Sequence, residues 1–100
     1  MAKKVKLPRK TKKPVEKLLS KVPVENVFWC HDGNAFSDLN ELVQGLKTMS
    51  DETFAYHSNM EKHDFSSWVR EVIGDEQLAD DLAKASNRLE AASYIMARIT

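Results

Sequence analysis

The chain has 100 residues, 42% of them hydrophobic, with fifteen basic and fifteen acidic side chains, three histidines and one cysteine. A chain this short carries one domain, burying roughly 65% of the surface its unfolded form exposes, with no room for a second. The single Cys30 excludes an internal disulfide and a cysteine-rich zinc site, and no apolar run approaches the ~20 residues that span a bilayer, so a soluble, cytoplasmic protein with no membrane partner is expected.

The zero net charge hides a division. Residues 1–21 hold Lys3, Lys4, Lys6, Arg9, Lys10, Lys12, Lys13, Lys17 and Lys21 against Glu16 alone, a net charge of +8 that leaves −8 for residues 22–100. Like charges and the breaks at Pro8 and Pro14 predict a basic, largely disordered arm over 1–21, joined to a small helical domain over 22–100. Val15, Leu18 and Leu19 fall on one side of a helical turn or two that Pro23 stops, and that side can dock on the body.

The period changes at Val27–Cys30, a short apolar and aromatic run; Asp32-Gly33 is a turn signal and Ala35-Phe36 begins a return strand, so a small hairpin is expected here. Ser37 can cap a first helix, with Asp38 in its first turn and Leu39, Leu42, Val43, Leu46 and Met49 as its stripe; Gly45 inside it marks a close contact or is simply tolerated. Ser50 caps a second helix with Phe54 and His57 on one face, fraying near Ser58-Asn59. Asp64 is read as the cap of a third, with Phe65, Trp68, Val69, Val72 and Ile73 as its stripe and Gly74 as its stop. Asp75 caps a fourth carrying Leu78, Ala79, Leu82 and Ala83, and Ser86 or Asn87 starts a fifth with Leu89, Ala92, Met96 and Ile99 inward. The expected fold is therefore mainly α, a compact cluster of four or five short helices with a small N-terminal β-hairpin. Its core is drawn from Phe28, Phe36, Leu39, Leu42, Val43, Leu46, Phe54, Phe65, Trp68, Val69, Val72, Leu78, Leu82, Leu89 and Met96.

Phe28-Trp29-Cys30, Asp32-Gly33, Met49 to His57, Asp64 to Trp68 and Asn87 to Ala92 together resemble a family of small archaeal and bacterial domains of unknown function. The resemblance covers about residues 27–99 and implies a shared fold and an archaeal setting, with no activity attached. The basic arm lies outside the shared stretch.

Candidate sites are few. His57 and His63 stand six apart with no H-x-x-x-H pair, so no metal and no cofactor is expected. Cys30 and His31 are neighbours on a strand and point to opposite faces, which argues against a thiol activated by imidazole. Trp68 belongs to an apolar stripe, whereas Trp29 is open to a surface role such as stacking on a base; His31, His57 and His63 complete the set of surface candidates. The cluster Asp75, Glu76, Asp80 and Asp81 reads as a solvated face that can answer a basic partner or the arm. A small hydrolase or metal protein built on Cys30, His31, His57 and His63 is the weakest alternative.

The arm carries the functional reading. Lysines in excess of arginines act as point charges on phosphates more than as bidentate readers of bases. The expectation is a non-enzymatic protein that binds the phosphate backbone of DNA or RNA with little sequence specificity, in a nucleoid or ribosomal setting. The alternative is a protein-interaction adaptor whose acidic helical body meets another protein or a second copy.

Overall fold

The computed structural model describes residues 18–100. The readings of Lys3, Lys4, Lys6, Arg9, Lys10, Lys12, Lys13 and Lys17, and of the disorder of their segment, lie outside the described residues. Leu18 is fully buried and Lys21 pairs with Asp38 and Glu41, so the packed body takes in residues assigned above to the arm.

After a 3₁₀ turn at Val24–Asn26, β1 (Phe28–Trp29) pairs antiparallel with β2 (Ala35–Phe36), setting Phe28 opposite Phe36 and Trp29 opposite Ala35. The turn between them is made by Gly33 at φ 97°, a left-handed conformation that a side chain resists, and by the Asp32 carboxylate, which accepts the Asn34 N–H. Five helices follow: α1 (Leu39–Thr48), α2 (Asp51–His57), α3 (Asp64–Trp68), α4 (Glu76–Ala83) and α5 (Arg88–Ile99). The mainly helical fold with one small hairpin is as expected. None of the helices among the described residues is long and apolar enough to cross a membrane.

A two-stranded hairpin is marginal alone, and here it is held by aromatic packing. The Phe28 ring stacks on Phe65 at 4.9 Å and Phe36 at 6.2 Å, and meets Trp68 edge-on at 6.0 Å. Phe36 in turn lies over Gly45 of α1, where an added Cβ would overlap its ring. Gly45 thus marks a close approach of helix and strand.

Two helix starts differ from expectation, and a third, expected at Ser86 or Asn87, falls on Asn87. Asp38, not Ser37, caps α1, accepting the Glu41 N–H at 2.8 Å, while the Glu41 carboxylate reaches back to the Ser37 N–H at 2.7 Å. α3 begins after His63, and Asp64, its first residue, points its carboxylate at His57. Asn87 caps α5, while Ser86 gives its N–H to Glu90.

Two stripes differ as well. α3 runs on into a π-helical turn, Val69–Ile73, whose extra residue rotates the face so that Ile73 is buried and Val72 only half-buried. On α5 the inward residues are Ala91, Ala92 and Ile95, and Leu89 and Met96 face out at 56% and 40% exposure. Arg88 fixes that rotation: its guanidinium donates to the Leu46 and Lys47 carbonyls at the end of α1 and to Asp51 at 2.8 Å. With Arg88 pinned there, alanines meet α1 and the bulkier side chains turn away.

Candidate functional site

His57 is the most chemically suggestive residue, and its geometry is closed. Its buried ring carries the proton on Nδ1, donating to Asp64 Oδ2 at 2.9 Å, while Nε2 accepts the His31 backbone N–H at 2.8 Å. A His–Asp pair serves as a general base only through a free second nitrogen. Here that nitrogen ties α2 to the hairpin. Cys30 is buried in the core cluster and burial pushes its thiol up, away from the reactive thiolate, while His31 is exposed with its ring stacked on Tyr56 at 3.9 Å. His63 is exposed at the start of α3, where it makes no side-chain cap bond. No group of three His, Cys, Asp or Glu among the described residues could hold a metal ion.

Of the nine basic residues singled out above, Lys21 is the one within the described residues, and it is occupied. Its ammonium lies 2.9 Å from both Asp38 Oδ2 and Glu41 Oε2, bridging to the cap of α1. Hydrogen bonds from the Ser37 N–H, then Lys21, then the Ser37 hydroxyl hold the Glu41 carboxyl at about 2, and bonds to Asp38 and Glu41 raise the Lys21 ammonium. No local spacing signals this clasp, because its partners are far apart in sequence.

The same holds across the body. Residues 18–100 contain seven lysines and arginines against fourteen carboxylates. Five of the seven are paired: Lys21, Lys62 with Asp64, Arg70 with Glu76 and Asp80, Arg88 with Asp51, and Arg98 with Asp75. The expected solvated acidic face is therefore corrected at its first member. Asp75 is fully buried, capping α4 through the Leu78 N–H and taking Arg98 Nε at 2.6 Å.

Two grooves flank Lys21. One, of about 560 Å³, runs along β2 and α1 between Asn34, Asp38, Glu41, Gln44 and Thr48. The other, of about 320 Å³, lies between Val22, Val24, Val27, Trp29, Ala35 and Ser37. Trp29, 68% exposed, stands over the second, whereas Trp68 is buried with its indole N–H donating to the Asn26 carbonyl at 2.8 Å.

No protein-family model matches this chain, and neither a curated protein nor a solved structure matches it.

Proposed function

We propose that the protein associates with nucleic acid through the phosphate backbone, with residues 1–17 as the grip, with little sequence specificity and no covalent chemistry. The observation that carries this reading is how the charge divides along the chain. Residues 1–17 hold eight cations and one carboxylate, a net +7, while residues 18–100 hold −7 and pair five of their seven cations with their own carboxylates. Polyanion affinity then has one source. The acidic body repels the same phosphates and leaves the phosphate contacts to the basic segment.

Titration of labelled duplex DNA and of structured RNA with the full chain tests this, beside a full-length variant whose eight cations in residues 1–17 are glutamine. The native chain should bind both, and the variant neither. Equal binding by both proteins would refute the reading.

The second reading is an adaptor that meets another protein through the body. Leu89 and Met96, two turns apart on the outer face of α5, favour it. Partner binding of that kind would survive the glutamine replacements and fail with Leu89→Ser and Met96→Ser.

A further inference from the structure

We propose that the groove beside β1 takes an unpaired base of a single-stranded nucleic acid, stacked on Trp29, while residues 1–17 hold the neighbouring phosphates. This inference rests on the phosphate-binding reading above. It adds a substrate class, single strands and loops, that the charge alone does not select.

The hairpin itself sets Trp29 outward. Phe28 is bound into the aromatic core, so alternation along β1 fixes the next side chain on the opposite face, where Trp29 is 68% exposed. Its partner across the hairpin is the small Ala35, and with Val22, Val24 and Val27 they form an apolar recess of about 320 Å³. Among the described residues Trp29 has no aromatic or cationic neighbour over its ring. An exposed indole over an apolar recess is the platform that base stacking uses, and it is sequence-tolerant because every base has a π face.

Electrostatics choose this groove over its neighbour. The body carries −7, yet no carboxylate lines the Trp29 recess, whereas Asp38 and Glu41 line the larger groove along α1. A phosphate chain is repelled less at the Trp29 recess than along the larger groove. Lys21, at the edge of both, is held by Asp38 and Glu41, so phosphates must be met from elsewhere. Residues 1–17 precede buried Leu18 in sequence, and Lys21 and Val22, just beyond it, line the recess, so grip and platform are adjacent along the chain. Bases in a duplex are already stacked on both sides; those of single strands and loops are available.

The test uses the full chain with a labelled thymidine oligonucleotide and a duplex of equal length at one salt concentration. The single strand should bind and quench the Trp29 emission, with buried Trp68 as a constant background. Trp29→Ala should weaken single-strand binding about 5- to 100-fold and abolish the quench, leaving duplex affinity unchanged, and Trp29→Phe should recover most of the loss. Unchanged single-strand affinity in Trp29→Ala would overturn the inference, as would an equal loss on the duplex. So would Trp29-dependent self-association of the protein in place of binding. If the native chain binds neither probe, the phosphate grip itself fails. If it binds both and Trp29→Ala changes nothing, only the stacking site fails.

Discussion

Trp68 and Trp29 occupy opposite sides of one hairpin and are used in opposite ways. Trp68 meets Phe28 edge-on and spends its indole N–H on the Asn26 carbonyl, so both its apolar body and its polar tip are consumed by folding. Trp29, the residue after Phe28, is exposed over a recess. Charge divides the same way: Asp75 and Arg98 are paired at the core, whereas the excess cations lie in residues 1–17. The inward side specifies the fold, and the outward side is the one proposed for recognition.

The sharpest way to break this comparison is to truncate each tryptophan. Trp68→Ala should cost about 3–5 kcal/mol by opening a cavity beside Phe28 and orphaning the Asn26 carbonyl, while Trp29→Ala should change stability by less than about 0.5 kcal/mol. Denaturant melts of the two variants would show it; comparable losses would erase the distinction.

Arg98→Ala should come next, at about 3 kcal/mol, because it leaves a buried carboxylate with a cap bond and without its cation. A double variant with Asp75→Asn should be more stable than Arg98→Ala alone. Chemical melts of both resolve the order.

Gly45→Ala sharpens the comparison at the hairpin's inward face. Helix propensity favours alanine by about 1 kcal/mol, but the new methyl would displace the Phe36 ring, and overpacking of that kind costs about 1–3 kcal/mol. Net destabilisation is expected by thermal melting; stabilisation would mean that Phe36 has room to move.

The smallest effect belongs to the exposed clasp. Glu41 has its carboxyl lowered to about 2 in the folded chain, against 4.5 as its ordinary value. Its contribution is therefore present above pH 4.5 and is lost as pH falls toward 2, when the unfolded state binds the extra proton. Lys21 is shifted the other way, so its share is fully present below 10.5 and is lost as pH rises from there through its raised folded value. The stability gap between the native chain and Glu41→Gln should close on acidification across that lower window. A pH-independent gap would mean that packing, not charge, holds the α1 cap.

Much of this body is legible in the sequence where structure is local. The caps Ser50, Asp75 and Asn87, the Asp32-Gly33 turn and the α1 stripe all depend on neighbours within a few residues. What escapes depends on distant partners. Asp64 suits a cap by type and spacing, but buried His57 requires a carboxylate and takes it. On α5, Leu89-Ala92-Met96 and Ala91-Ala92-Ile95 are both periodic, and only the reach of Arg88 to the end of α1 decides between them. The π turn after Trp68 alters the face without altering the residue pattern. Of the candidate site, the division of charge and the contrast between the tryptophans can be read directly. The clasp on Lys21 and the absence of carboxylates around Trp29 depend on tertiary placement.

The most direct test of the central claim is the salt dependence of binding to a single labelled duplex. If about six phosphates are engaged, log Kobs should fall with log salt at a slope of roughly −5, and glutamine at the eight cations of residues 1–17 should bring the slope near zero. A steep slope that survives those replacements would contradict the account, because the phosphates would then be met by a body whose cations are mostly held by its own carboxylates.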